Sequence, residues 1–153
     1  MRNALRVHVV GALALTAVFF GVALDSPVAD AARNGDLERV RALLVEGADV
    51  NAAQGDGMTA LHWAALGGRD QMAAILLYAG ASTDAITRLG AYTALHLASR
   101  NGHAGAVSIL LEGGADATAT ATTGATPLHF AATAGSAAAI AALVEAGADI
   151  DAP

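Results

Sequence analysis

The 153-residue sequence contains no cysteine, which excludes disulfides, thiolate zinc sites and a cysteine nucleophile. It also contains no lysine, because all eight basic residues are arginine. A P-loop and Schiff-base chemistry both need a lysine, so neither is present. Aromatic residues make up only 4% of a chain that is 55% hydrophobic. A chain of this length forms at most one ordinary domain. Its core must therefore consist of alanine, leucine, valine and isoleucine.

Positive charge is also scarce, and the net charge is −6. Loss of residues 1–23 would remove two arginines and no acidic residue, leaving six arginines against 14 acidic residues and a net charge of −8. A nucleic-acid-binding protein needs a basic surface that displaces counterions from phosphates. The charge therefore argues against nucleic acid and anionic membrane surfaces as partners.

The amino-terminal segment has the pattern of a targeting sequence. Arg2 and Arg6 precede an uncharged run from Val9 to Leu24, and small residues occupy the −3 and −1 positions of a cleavage site after Ala23. The run is shorter than the ~20 apolar residues that span a bilayer comfortably. The pattern predicts a cleaved secretory signal peptide over residues 1–23.

Two alternatives concern the same segment. Cleavage after Ala31 would also satisfy the small-residue rule, although it would divide the first predicted helix. An uncleaved segment would instead anchor the protein at the outer face of the inner membrane. No twin-arginine pair is present, so the general export route is expected.

The rest of the chain is an internal repeat. Thr59, Thr93 and Thr126 are separated by 34 and 33 residues, and Ser26 lies 33 residues before Thr59. Glycines recur with the same period, which is typical of repeat architectures. They form three registered series: Gly35, Gly68, Gly102 and Gly135; Gly47, Gly80, Gly114 and Gly147; and Gly57, Gly90 and Gly124.

Each unit is predicted to contain two helices. The threonine (or Ser26) is expected to be a helix N-cap whose hydroxyl accepts a hydrogen bond from the first turn. A short helix follows, as over 61–66, and a glycine ends it. A second helix, as over 36–46, carries an apolar stripe at Leu37, Val40, Leu43 and Leu44. The glycine series that begins at Gly47 is expected to end these second helices in a left-handed conformation.

This pattern is clearest in three stretches, "GMTALHWAALGG", "NGHAGAVSILLEGGADA" and "GATPLHFAATAG". A 33-residue unit that begins T-x-L-H-x-A resembles the ankyrin repeat. The resemblance implies an all-α solenoid of about four stacked helix–turn–helix units joined by hairpin loops. The implied domain covers residues 24–153, with repeats at 24–56, 57–89, 90–123 and 124–153. Departures are an inserted residue near Ala91, Ala29 in place of the first histidine, and Gly105 inside a helix.

Three histidines in register raise the question of a metal or catalytic site. Matching side chains on helices stacked ~8–10 Å apart run parallel, whereas zinc ligands must converge on one ion. The resemblance implies that each histidine instead hydrogen-bonds within and between units. We therefore expect a structural role for the threonine–histidine pairs: Thr59 and His62, Thr93 and His96, and Thr126 and His129.

No other motif predicts chemistry. The stretch "GDGMTA" matches a dinucleotide fingerprint formally but lacks the strand that this motif requires, and no serine lies in a G-x-S-x-G elbow. We predict no catalytic residues, no cofactor and no metal site. An enzyme or metal protein that uses the histidine row is kept as an alternative.

The predicted function is recognition of a protein partner through the concave face and the hairpin tips of a stacked scaffold. In the ankyrin family the binding positions are the turn tips and the two residues before the inter-helix glycine. Met58, Leu66, Leu89 and Tyr92 are apolar or aromatic at positions expected to face solvent. The candidate protein-binding residues are Arg33, Asp56, Met58, Leu66, Arg88, Leu89, Tyr92, Arg100, Asn101 and Thr133.

The two ends of the repeat domain differ. The first unit is polar along its outer side, as a terminal cap requires, whereas the last unit carries Glu145 as its only helical charge. Further repeats after Pro153, or a docked surface, are therefore expected. The alanine-rich, arginine-only composition and the opening "LDSPVADAARNGDLERVRALL" resemble exported bacterial ankyrin proteins. A periplasmic monomer is the expected state, with the inner membrane as the alternative location.

Overall fold

A computed structural model describes residues 26–153, where the chain forms eight α-helices and no β-strand. The predicted signal peptide over residues 1–23 lies outside the described residues. The helices are α1 Pro27–Arg33, α2 Leu37–Val45, α3 Ala60–Leu66, α4 Asp70–Tyr78, α5 Ala94–Arg100, α6 Ala104–Glu112, α7 Pro127–Ala134 and α8 Ala137–Glu145.

The helices form two layers. The odd-numbered helices pack on one another in chain order, and α4, α6 and α8 do the same in a second row. Each odd-numbered helix also packs on the even-numbered helix that follows it, which makes four stacked helix pairs. The predicted all-α repeat stack is confirmed. Because α1 runs through Ala31, a cut after that residue would divide the helix.

The core lies between the layers and is continuous along the stack. One leucine in each of the last three even-numbered helices, Leu76, Leu110 and Leu143, is fully buried at the same place in the repeat. Alanines fill the space between helices, because a methyl group lets neighbouring helix backbones approach closely. Full burial of each leucine contributes about 1.5–3 kcal/mol. The stack is therefore held by one shared core, as expected for a repeat protein.

The turns depend on the registered glycines. All eleven have a positive φ, between 58° and 93°, and the described residues contain no other glycine with a positive φ. Gly57 has a second constraint, since a Cβ there would lie 2.9 Å from the backbone nitrogen of Arg88 on the next hairpin. The predicted left-handed ends of the second helices are confirmed.

The hairpins connect neighbouring units. Within the second hairpin the Thr87 N–H donates to the Tyr92 carbonyl at 3.0 Å, and the Arg88 N–H donates to the Asp56 carbonyl of the first hairpin at 2.8 Å. The inserted residue lies in this second hairpin. It is accommodated at Ala91, which takes a φ of 52°. A left-handed conformation costs a residue with a Cβ about 1–2 kcal/mol.

One predicted cap is wrong. Ser26 occupies the N-cap position of α1, but its side chain makes no capping hydrogen bond. Its backbone ψ of 66° is far from the 166–171° of the three N-cap threonines. The pattern located the helix start, whereas the extended backbone that aims a hydroxyl at the first turn is present only in the later units.

Candidate protein-interaction surface

Each threonine–histidine pair is a hydrogen-bonded joint at a helix start. The Thr59 N–H donates to His62 Nδ1 at 3.2 Å, and the Thr59 hydroxyl lies 2.8 Å from the same nitrogen. The His62 N–H in turn donates to the Thr59 hydroxyl oxygen at 3.4 Å. This is a capping box in which a histidine takes the place of the usual Glu or Gln. Thr93 and His96 repeat the geometry.

The same histidines also connect neighbouring units. His62 Nε2 lies 3.0 Å from the Tyr92 carbonyl oxygen, and His96 Nε2 lies 3.3 Å from the Ala125 carbonyl oxygen. A carbonyl only accepts, so the proton is on Nε2 and Nδ1 is the acceptor. Both ring nitrogens are thereby used inside the fold. Both side chains are only 1% exposed.

Burial sets the protonation state of these two joints. Desolvation of the imidazolium lowers the pKa of His62 and of His96, and hydrogen bonds to backbone carbonyls oppose that shift only partly. The neutral ring is also the form that the two opposed hydrogen bonds require. The charge and geometry of these histidines thus favour a structural role.

His129 differs from the other two. Its Nδ1 accepts from the Thr126 N–H at 3.1 Å and lies 2.9 Å from the Thr126 hydroxyl. No further hairpin lies beyond it within the described residues, and its side chain is half-buried. Across residues 26–153 no group of three or more His, Cys, Asp or Glu side chains could hold a metal ion.

Seven of the ten candidate binding residues are exposed, and one is not where it was expected. Met58 is only 8% exposed, so the prediction that it faces solvent is wrong. It immediately precedes the N-cap Thr59, a position whose apolar side chain commonly packs back onto the helix. Leu66 and Tyr92 are half-buried. The exposed residues are Arg33, Asp56, Arg88, Leu89, Arg100, Asn101 and Thr133.

Tyr92 and Arg100 come together on α5 and the hairpin before it. The Arg100 guanidinium carbon lies 5.8 Å from the centre of the Tyr92 ring, within the range of a cation–π contact. The Tyr92 ring meets the edge of Phe130 at 5.7 Å. Phe130 was not a candidate, although it takes the place that Trp63 has in the second unit. The structure thus extends this part of the surface onto α7.

Other exposed candidates have local contacts as well. The Asn101 side chain donates to the Leu66 carbonyl at 2.9 Å and so connects α5 to the end of α3. The Thr133 hydroxyl donates to the His129 carbonyl at 2.9 Å within its own helix. Arg33 is exposed in the last turn of α1. Leu89, at the tip of the second hairpin, leaves 85% of its surface in solvent.

Arg69 was missed by sequence reasoning because its contacts are distant in the chain. Its guanidinium donates to the Ala32 carbonyl at 3.3 Å and to the Trp63 carbonyl at 3.2 Å. It thereby satisfies carbonyls at the ends of two neighbouring helices. Trp63 in turn donates from its indole nitrogen to the Gln54 side chain at 2.8 Å, and Gln54 also contacts Asp30. This chain of contacts fixes the surface between the first two units.

The outer face of the stack, formed by the even-numbered helices, carries a second apolar feature. Val45 and Tyr78, the last residues of α2 and α4, are 90% and 96% exposed. They border a groove of about 400 Å³ whose other lining residues include Leu44 and Ile75. The last residues of α6 and α8 are glutamates. None of the helices of residues 26–153 has the length and apolar character needed to cross a membrane.

Comparison with known proteins agrees with the geometry. A family model described as "Ankyrin repeats (3 copies)" matches residues 28–121 and 84–153. The chain is 40% identical over 80 residues to palmitoyltransferase Hip14 of Drosophila melanogaster, a match that covers 52% of this chain and 13% of that protein. It is 41% identical over 71 residues to calmodulin-binding transcription activator 6 of Arabidopsis thaliana, covering 43% of this chain and 8% of that protein.

The chain thus corresponds to a small part of each of these much larger relatives. The similarity is limited to the repeats, so it does not indicate that this chain shares the activities of those proteins. The family match, by contrast, extends over most of the sequence and over all four helix pairs. On this evidence the chain belongs to the ankyrin-repeat family.

Proposed function

We propose that this protein is a non-catalytic, exported ankyrin-repeat module that binds a protein partner through its concave face and hairpin tips. Ankyrin repeats are in general protein-interaction modules. The observation that carries the proposal is that structural and exposed residues occupy different positions within each unit. The ring nitrogens of His62 and His96 are engaged in hydrogen bonds within the fold, whereas seven of the ten irregular candidate positions around the repeated residues are exposed.

Leu89 is the best candidate for an anchor in that surface. It lies at a hairpin tip, is 85% exposed, and has the exposed Arg88 beside it. Arginine is enriched in protein interfaces, and an exposed leucine beside it offers apolar surface that a partner can bury. The enzymatic alternative has no comparable support, because the ring nitrogens of His62 and His96 are already occupied.

The proposed location is the periplasm, with the signal peptide cleaved after Ala23. An uncleaved segment that holds the same module on the outer face of the inner membrane is the second form of this proposal. The mass of the protein recovered from cells distinguishes the two. Loss of residues 1–23 supports cleavage, and the full mass in a membrane fraction supports the anchor. A monomer is proposed for either form.

The binding proposal is tested by affinity capture from a periplasmic extract with three baits. These are the unaltered protein, Leu89→Asp on the hairpin tip, and Val45→Asp on the outer face. The leucine and valine sites are similarly exposed and receive the same charge, which makes Val45→Asp a matched control. We expect a partner that is lost with Leu89→Asp and kept with Val45→Asp. A partner that shows the reverse pattern would contradict binding through the concave face.

A further inference from the structure

The central part of the repeat stack differs in charge from the rest of the chain. Between Asp84 and Glu112 the sequence contains no acidic residue, although the whole chain has a net charge of −6. Arg88 and Arg100 both lie in this interval. The second hairpin and α5 therefore carry two positive charges and no negative charge of their own within an acidic protein.

Both arginines of this region present their charge to solvent. Arg88 and Arg100 are exposed, and no carboxylate of residues 26–153 lies within ion-pair distance of either. The ion pairs in the described part of the chain use Arg39 and Arg41 of α2 instead. Arg69 is occupied by backbone carbonyls.

The fold accounts for only part of this arrangement. Arg100 lies in the last turn of α5, where a positive charge complements the helix dipole. Arg88 has no such explanation, because it lies on a hairpin. One carboxylate-bearing residue adjoins Arg88, because the Asp56 carbonyl accepts from the Arg88 N–H at 2.8 Å, but the Asp56 side chain accepts from the Met58 N–H at 2.9 Å and does not pair with the guanidinium.

Exposed apolar surface accompanies the positive charge. Leu89 adjoins Arg88, and Ile86 on the same hairpin is also largely exposed. On the α5 side, the Tyr92 ring lies beneath the Arg100 guanidinium. The hairpin also holds Ala91 in a left-handed conformation, and strain of this kind is often found at binding sites.

We propose that the second hairpin and α5 bind an acidic segment of the partner protein. Carboxylates of that segment pair with Arg88 and Arg100, and an apolar side chain between them packs on Leu89. A guanidinium recognises a carboxylate through two parallel hydrogen bonds, which gives orientation as well as attraction. This inference rests on the proposed function, since it names the chemistry of the partner for the same surface.

The first arm of the test uses a random peptide library as the probe. The library is displayed on phage and panned on the purified protein, and the enriched sequences are read. We expect enrichment of peptides in which aspartate or glutamate flanks an apolar residue. Enriched peptides that are neutral or basic would overturn the acidic-segment proposal and leave the interaction function standing. A selection with no enriched binder would contradict both.

The second arm locates the contact. A synthetic copy of the most enriched peptide is titrated against the variants Arg88→Gln and Arg100→Gln, with Arg39→Gln of α2 as the matched control. Each change removes one exposed positive charge. We expect binding to weaken about two- to fivefold for the first two and to be unchanged for the third, with melting temperatures that differ little. Equal weakening by Arg39→Gln would overturn the assignment.

A third reading separates charge from shape. The same peptide is prepared with its carboxylates replaced by amides and titrated against the unaltered protein. Its binding should be no tighter than that of the acidic peptide to Arg88→Gln or Arg100→Gln. Binding of the acidic peptide should also weaken as salt is raised, because exposed charge pairs are screened. An amide peptide that binds the unaltered protein as well as the acidic one would refute the role of the carboxylates.

Discussion

Replacement of His62 by alanine should destabilise the protein more than replacement of His129, although the two residues occupy the same place in the motif. His62 is buried, caps its own helix through Thr59, and reaches the Tyr92 carbonyl of the next hairpin at 3.0 Å. His129 is half-buried, and the described hydrogen bonds of its side chain are those with Thr126. The pair thus separates the bridging contact from the cap.

The magnitude follows from the two hydrogen bonds that the substitution removes. His62→Ala leaves the buried Thr59 N–H without a partner, at a cost of about 1–3 kcal/mol. It also removes the bond to the Tyr92 carbonyl, worth about 1 kcal/mol, although that carbonyl still accepts from the Thr87 N–H. We expect the free energy of unfolding to fall by about 2–3 kcal/mol. For His129→Ala only the cap is lost, and water reaches it. The expected loss there is about 1 kcal/mol, as for other N-cap changes.

The assay is urea denaturation followed by far-ultraviolet circular dichroism at neutral pH, on both variants and the unaltered protein. Equal slopes of the unfolding transitions would show that the compared states are alike. His96→Ala should behave like His62→Ala, since it makes the corresponding bond to the Ala125 carbonyl. Equal losses for His62→Ala and His129→Ala would refute the assignment of the bridge as the main contribution.

Three further predictions concern other features of the same scaffold. Because burial lowers the pKa of His62 and His96, the folded state binds fewer protons than the unfolded chain just below the ordinary histidine pKa of 6.5. The contribution of these two histidines to the free energy of unfolding is therefore complete above that pH. It is lost as the pH falls below 6.5, by at most about 1.4 kcal/mol per pH unit for each residue. Unfolding measured from neutral to mildly acidic pH checks this, and a stability that does not change with pH would contradict it. Ser99→Ala should raise stability by about 1 kcal/mol in urea denaturation, because its buried hydroxyl has no hydrogen-bond partner among residues 26–153 and Ala32 fills the matching place in α1; a loss would refute this. Ala91→Gly should raise the melting temperature, since relief of about 1–2 kcal/mol of strain exceeds the added chain entropy; a lower melting temperature would show that φ is not the constraint.

The fold could be predicted because its signals recur with a fixed period. A glycine that must adopt a positive φ, such as Gly57, is recognisable when the same residue returns one unit later at Gly90. The threonine and histidine of each joint are three residues apart, so the capping contact is local and follows from sequence. Periodicity also located the apolar stripes that meet in the core.

The exposure and contacts of the surface residues could be predicted less well, because they depend on contacts between units. Arg69 reaches a carbonyl 37 residues earlier, and no local pattern indicates that. Met58 and Tyr92 both precede an N-cap threonine, yet Met58 is buried and Tyr92 is half-buried, a difference that their shared position in the repeat does not predict. The role of Phe130 beside Tyr92 depends on a contact between neighbouring helix pairs.

The central claim is that the repeated residues hold the scaffold and the irregular residues bind the partner. The most direct test is the dissociation constant of the captured partner for two variants that both remain folded, His129→Ala and Leu89→Asp. The account predicts an unchanged constant for His129→Ala and at least a tenfold weaker one for Leu89→Asp, with the stability of Leu89→Asp unaltered. Full affinity in Leu89→Asp together with lost affinity in His129→Ala would contradict it.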